Sequence, residues 1–103
     1  MSETITSGEG KTGNLPNTFS LEQNYPNPFN PSTVIKYGVP VESHVSLTVF
    51  DMLGKEVSVL VNERKNAGVH QVTFDASRLS SGVYLYRLQA GDFVATKKLI
   101  FLK

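Results

Sequence analysis

The sequence predicts an all-β domain, an immunoglobulin-like β-sandwich of about seven antiparallel strands behind a disordered N-terminal tail. Three observations support this prediction: apolar and polar residues alternate with the period of strands, turn residues recur at short intervals, and no segment has the pattern of an amphipathic helix. A chain of 103 residues is long enough for one modest core. A small barrel is the competing fold.

The first 18 residues are predicted to be a disordered tail or linker, and the domain to span 19–103. The tail is rich in Gly, Ser, Thr and Asn, and Ile5 and Leu15 are its only aliphatic residues. So little apolar surface does not offset the entropy cost of ordering. Residues 1–20 also lack the charged start and apolar run of a secretory signal. We therefore expect any leader peptide on a part of the parent protein outside this chain.

A proline-rich motif precedes the first long strand. It consists of Tyr25, Pro26, Asn27, Pro28, Phe29, Asn30 and Pro31. Its prolines fix their own φ and favour extended geometry in the residues before them. We interpret the motif as a structural clamp, since a flexible linker would use Gly and Ser. Its two aromatic rings are expected to lie against a neighbouring sheet, and its two asparagines to bond nearby backbone.

Strand patterns and turn signals alternate through the rest of the chain. The Asp51–Gly54 segment fits a type I turn followed by a left-handed glycine, and further turns are expected at 66–68, 80–82 and 90–92. The strands are predicted at 19–21, 33–38, 44–51, 56–62, 69–74, 82–90 and 93–102.

Composition excludes several classes of function. Ten basic and nine acidic residues give a net charge of +1, so no strong field attracts nucleic acid or an anionic membrane. The absence of cysteine excludes disulfides and thiolate metal sites. No apolar run is long enough to be a transmembrane segment.

No catalytic, cofactor-binding or metal-binding residue is predicted. His44 and His70 lack a third ligand at a recognisable spacing. Asp51, Asp75 and Asp92 each stand at or beside a turn, where an aspartate commonly bonds local N–H groups. We therefore expect no enzyme.

Two features of the last strands leave alternatives open. Tyr84 and Tyr86 lie two residues apart and therefore on the same side of the strand. They either form a row that binds sugar rings or pack inward with a hydroxyl at the rim, and we favour inward packing. Residues 99–102 are all apolar, so the predicted strand has apolar side chains on both of its faces. Either both faces are covered or one is a docking surface. Lys97 and Lys98 before them oppose unwanted edge pairing.

Four segments carry a family resemblance. These segments, at 25–33, 49–57, 82–88 and 97–103, resemble in order and spacing the type A C-terminal sorting domain of the type IX secretion system, also called the Por secretion system, of Bacteroidota. The resemblance covers about 21–103 and ends with the chain, as the family requires. It implies a non-catalytic domain that targets an N-terminal cargo protein across the outer membrane.

The resemblance also implies partners and site residues. The partners are the type IX outer-membrane machinery and a surface sortase-like peptidase, and the protein passes the periplasm to the cell surface or the medium. Family cleavage sites are poorly defined in sequence, and we expect the cut somewhere before Tyr25. Gly82 and Tyr84 match the family's Gly-x-Tyr, Gly91 its hairpin glycine and Lys98 its basic residue. The full recognition set is Gly82, Tyr84, Gly91, Lys97, Lys98, Leu99, Ile100, Phe101, Leu102 and Lys103. The alternative is a structural or carbohydrate-binding accessory module of a secreted multidomain hydrolase.

Overall fold

The computed structural model describes residues 15–103, and each of the seven predicted strands is found there. The first 14 residues of the predicted tail lie outside the described residues. The strands are β1 (Ser20–Leu21), β2 (Ser32–Val39), β3 (Ser43–Phe50), β4 (Glu56–Lys65), β5 (Gly68–Asp75), β6 (Gly82–Ala90) and β7 (Phe93–Phe101). No helix occurs between residues 15 and 103, which confirms the all-β prediction.

The strands form two antiparallel sheets, so the fold is a sandwich and not a barrel. One sheet has the order β1-β2-β5 and the other the order β4-β3-β6-β7. In an immunoglobulin constant domain the fourth strand lies beside the fifth. Here β4 lies beside β3 instead, because the short loop between these two strands favours a hairpin.

The core lies between the two sheets and is built from alternate residues of the strands. Ile35 of β2, Leu47 of β3, Leu88 of β6 and Leu99 of β7 are all fully buried. Each such side chain contributes about 1.5 to 3 kcal/mol when it is removed from water. The period-2 pattern of the sequence therefore sets which side of each strand faces inward.

The edge strand β4 is irregular. Its register with β3 shifts between Leu47 and Thr48 and again between Val49 and Phe50, so that β4 carries an extra residue at each place. Such bulges increase the local twist and oppose pairing with another chain.

The turns that frame β6 follow the sequence prediction. Gly91 has a φ of +58° in the two-residue loop between β6 and β7, and Gly82 has a φ of +155° at the start of β6. The Tyr84 hydroxyl donates a hydrogen bond to the Ser80 carbonyl at 2.6 Å. A tyrosine near the start of the sixth strand that bonds backbone a few residues upstream is typical of immunoglobulin-like sandwiches.

Candidate functional site

The proline-rich motif and the end of β7 are in direct contact. The Ile100 N–H donates to Asn27 Oδ1 at 2.9 Å across 73 residues of sequence. The Phe29 N–H donates to the Ile100 carbonyl at 3.0 Å, and the Leu102 N–H donates to the Phe29 carbonyl at 3.1 Å. The motif therefore acts as a short extra strand along the outer edge of β7.

The other edge of the terminal segment is held as well. Phe101 pairs with Gly82 of β6, and the Lys103 N–H donates to Ser81 Oγ at 2.9 Å. On the outer edge, the amide of Gln23 also donates to the Lys98 carbonyl at 2.7 Å. The backbone of residues 98–103 is thus a fixed strand with set side-chain directions, and not a flexible peptide.

The pleat of β7 divides the predicted recognition strip in two. Leu99 and Phe101 point inward and are 0% exposed, and the Phe101 ring stacks on Phe29 with 5.3 Å between ring centroids. Ile100 is partly exposed on the outward face, and Leu102 beyond it is 52% exposed. Of the two alternatives that the sequence left open, the structure therefore has one covered face and one open face.

Lys97 and Lys98 follow the same alternation. Lys97 lies on the same side of β7 as the inward residues and is half-buried, whereas Lys98 is exposed on the outward face. Of the two, only Lys98 lies on the same face as Ile100 and Leu102.

Apolar side chains surround the outward residues of this strip. Val83 lies opposite Ile100, and Leu85 lies between Phe50 and Lys98 in the register of the sheet. Each of these neighbours is partly exposed. We call this surface the outer patch, and it consists of Phe50, Val83, Leu85, Ile100 and Leu102.

The opposite end of the same outward face is more polar. There Ser46 lies beside Gln89, and Gln89 lies beside Val94. Between the two ends, the Arg87 guanidinium lies 4.6 Å from the centroid of the Phe50 ring and forms the border of the outer patch. The apolar side chains of this face are therefore most concentrated near the C-terminal end of β7, whereas Val94 stands among polar residues at the other end.

A buried polar network holds the N-terminal segment against β6. The Tyr86 hydroxyl donates to the Glu22 carbonyl at 2.7 Å and accepts from the Asn24 N–H at 2.8 Å. The Asn24 amide donates to Thr33 Oγ1 at 3.0 Å and to the Pro26 carbonyl at 3.1 Å. Burial raises the pKa of Tyr86 to about 12. Because these groups are satisfied only in this arrangement, the network fixes the path of the chain into the proline-rich motif.

The aromatic residues divide between core and surface. Tyr84 and Tyr86 are 7% and 0% exposed, so both pack inward, as we favoured. Phe29 is also buried, as predicted for the motif. The expectation for Tyr25 was wrong, because its ring is 81% exposed. Tyr25 pairs through its backbone with Val34, and the alternation of the extended chain turns Asn24 inward and Tyr25 outward.

The exposed Tyr25 ring forms one wall of a groove beside β2. Its other lining residues are Glu22, Gln23, Val34, Lys36 and Gln71, and its volume is about 310 Å³. This groove and the outer patch lie on different sheets, because Val34 and Gln71 belong to β2 and β5.

Both histidines and two of the aspartates, Asp51 and Asp75, have structural partners. His44 donates to Asn62 Oδ1 and His70 to the Asn66 carbonyl, each at 2.8 Å. Asp51 accepts from the N–H groups of its own turn, as predicted. The Ser77 N–H beside Asp75 lowers the pKa of that carboxyl. No group of three or more potential metal ligands occurs in the described residues.

Comparison with known proteins gives a match at the level of the family. A family model described as "Secretion system C-terminal sorting domain" matches residues 23–102, which is most of the chain. The matched range begins at Gln23 and so includes the proline-rich motif, the outer patch and β7. Comparisons with curated proteins and with solved structures give no match. No helix within residues 15–103 is long and apolar enough to cross a membrane.

Proposed function

The chain belongs to the family of secretion system C-terminal sorting domains, and on that premise we propose that it directs a cargo protein through the outer membrane by presenting one fixed strand face to the type IX machinery. Such a family of sorting signals is generally non-catalytic. Its members belong to secreted proteins and interact with the secretion machinery and with the cargo to which they are joined.

The observation that carries this proposal is the rigid, outward-facing half of the terminal strip. Ile100 and Leu102 present apolar side chains to solvent on a backbone that is hydrogen-bonded on both edges. We assign direct contact with the machinery to Lys98, Ile100, Leu102 and Lys103. Gly82, Tyr84, Gly91, Leu99 and Phe101 form the fold that positions them, since their side chains are absent or buried. Lys97 is half-buried on the inward side and is assigned to this supporting group.

The position of the N-terminal segment indicates where the chain could be cut to separate the domain from its cargo. Phe19 stacks on Phe93 of β7 with 5.6 Å between ring centroids, so the sandwich already includes the chain from about residue 19. We propose that a surface sortase-like peptidase cuts before this residue, and hence before Tyr25. The folded domain would then remain intact while the cargo is attached to the surface or released.

The test uses Val94 of β7 and Leu102, which follows β7 on the same outward face. Leu102 and Val94 are 52% and 54% exposed, but they lie at opposite ends of the outward face. The full chain is fused behind a signal peptide and a fluorescent protein in a type IX host. We expect Leu102→Ser to lower extracellular fluorescence about 10-fold, the effect of about 1.4 kcal/mol of lost binding, and Val94→Ser to leave it unchanged.

Two results would count against the proposal. One is a wild-type fusion that folds but stays in the periplasm. The other is equal export of the Leu102→Ser and Val94→Ser fusions. Melting temperatures of both purified variants serve as the control for folding.

A second candidate function is favoured by the groove at Tyr25. An exposed aromatic ring beside amide and carboxylate side chains suits a sugar ring and its hydroxyl groups. A carbohydrate-binding accessory module would lose glycan binding on Tyr25→Ala while Leu102→Ser retained it. Normal export of Tyr25→Ala together with no glycan binding by the wild type would leave the sorting function alone.

A further inference from the structure

The loop between β3 and β4 exposes two large apolar side chains that do not pack in the core. Leu53 is 94% exposed and Met52 is 60% exposed. A single exposed apolar side chain is ordinary on a protein surface. Two adjacent ones beside the outer patch enlarge one apolar surface, which is typical of a protein-binding site.

The loop is rigid despite its exposure. Asp51 Oδ1 accepts from the N–H groups of both Leu53 and Lys55 at 2.9 Å. The Gly54 N–H donates to the Asp51 carbonyl at 3.0 Å, and the Asp51 N–H donates to the Lys55 carbonyl at 2.9 Å. Gly54 has a φ of +88°, which allows the tight return of the chain. A loop fixed in this way loses little conformational entropy when a partner binds.

The register of the sheet places this loop at the same end as the last residues of the chain. Strands β3 and β7 flank β6 and both run antiparallel to it, so both end where β6 begins. Their last residues, Phe50 and Phe101, lie about 10 Å apart across the sheet, which is two strand spacings, and about 10 Å apart along it, because they pair with Leu85 and Gly82. Phe50, the last residue of β3, also belongs to the outer patch. The loop and the terminal strip are therefore neighbours across one strand.

We propose that Met52 and Leu53 form, together with Ile100 and Leu102, a single two-part docking surface for the outer-membrane protein that reads the terminal strip. This inference rests on the proposed function, because it assigns a second contact to the same partner. One partner surface is required to span the two contacts, which lie about 10 to 15 Å apart, a distance well within a standard protein interface.

The charges around this surface define the chemistry of the partner. Four basic residues lie on or beside the loop and the outer patch, namely Lys55, Arg87, Lys98 and Lys103. Two acidic residues, Asp51 and Glu56, lie in the same region. The Asp51 carboxylate is already bonded to the loop N–H groups. The complementary partner is an apolar groove with an acidic rim. Such a rim would orient the domain before the aliphatic side chains are buried.

The test is the double variant Met52→Ser/Leu53→Ser, which keeps Asp51 and Gly54 and therefore the shape of the loop. The matched control is Val41→Ser, because Val41 is 59% exposed in the loop between β2 and β3 at the opposite end of the sandwich. In the export assay we expect extracellular fluorescence of the double variant to fall about 10-fold or more. This is the effect expected when one or both apolar side chains no longer bury their surface against the partner. Val41→Ser should be exported like the wild type.

The outcomes separate this inference from the proposed function. Normal export of the double variant with failed export of Leu102→Ser overturns the two-part surface and retains the sorting function. Normal export of both overturns both. Equal losses for the double variant and for Val41→Ser also overturn the inference, because the effect would not depend on position.

A second measurement covers the case of a variant that does not fold. A photo-crosslinking amino acid placed at Leu53, at Leu102 or at Val41 is exposed to light during export in the host. We expect the first two positions to capture the same outer-membrane protein and Val41 to capture none. Different captured proteins at Leu53 and Leu102 overturn the inference. The inference is also overturned if the wild-type chain binds vesicles of phosphatidylethanolamine and phosphatidylglycerol and the double variant does not, since the loop would then contact lipid.

Discussion

The inward and outward residues at the end of β7 have the same chemistry and different surroundings. Leu99 and Phe101 are fully buried against β6 and the proline-rich motif, whereas Ile100 and Leu102 face solvent beside Val83 and Leu85. All four are large and apolar, so composition does not separate them. The comparison shows that one short motif contributes to stability with one face and is available for recognition with the other. A loss of export after a change in this motif therefore has two possible causes, which stability measurements distinguish.

Replacing an inward residue should have the largest effect on stability. Phe101→Ala removes a buried ring that stacks on Phe29, and we expect the free energy of unfolding to fall by about 3 to 5 kcal/mol. Chemical denaturation measures this change. The outward neighbour Leu102→Ser is the matched control, with an expected change within about 0.5 kcal/mol. Similar losses for the two variants would contradict the division of the strip by its pleat.

The polar network between β6 and the N-terminal segment should have an intermediate effect. Tyr86→Phe removes the hydroxyl that bonds Glu22 and Asn24, and it leaves the buried Asn24 N–H without an acceptor. We expect a loss of about 1 to 3 kcal/mol in the free energy of unfolding. Tyr84→Phe is the control, because its hydroxyl bonds only the nearby Ser80 carbonyl. A loss at Tyr84 larger than that at Tyr86 would show that the network is not what holds the segment.

The same tyrosine predicts a dependence of stability on pH. The pKa of Tyr86 is about 12 in the folded protein against 10.0 for the free side chain, so the folded state keeps its proton where the unfolded state releases it. The unfolded state therefore binds fewer protons between pH 10 and 12, and the free energy of unfolding should fall there by on the order of 2 kcal/mol. Burial also raises the pKa of Tyr37, which adds to the fall. Tyr86→Phe should reduce this fall, and an unchanged profile would contradict the assignment to Tyr86.

The contact at the edge of β7 should have the smallest effect. Asn27→Ala removes the acceptor of the Ile100 N–H at an exposed position, and we expect a loss of about 0.5 to 1.5 kcal/mol. Hydrogen exchange at the Ile100 amide should become faster, while the amide of Leu47 in the centre of the sheet stays protected. Uniformly faster exchange would indicate global destabilisation and not a local loosening of the terminal strip.

Local patterns were sufficient to predict the strands and their turns. Tyr84 and Tyr86 pack inward, as their shared parity led us to favour, and the Asp51–Gly54 turn has the predicted type I hydrogen bond and left-handed glycine. The predictions failed where the partner is distant in sequence. Asn27 was expected to bond nearby backbone and instead accepts from Ile100, and Tyr25 was expected to pack but is exposed. The contacts of Gln23 with Lys98 and of Ser81 with Lys103 had no signal in the sequence.

The sequence by itself determined the class of fold, the number of strands and the family, because these follow from periodicity, turn chemistry and motif spacing along the chain. Only the tertiary structure decided that the proline-rich motif lies along β7, that β4 joins the larger sheet, and that Leu99 and Phe101 face the core while Ile100 and Leu102 face solvent. The physical reason is that alternation fixes two faces of a strand but does not say which neighbour covers each. That choice depends on contacts between residues far apart in the chain.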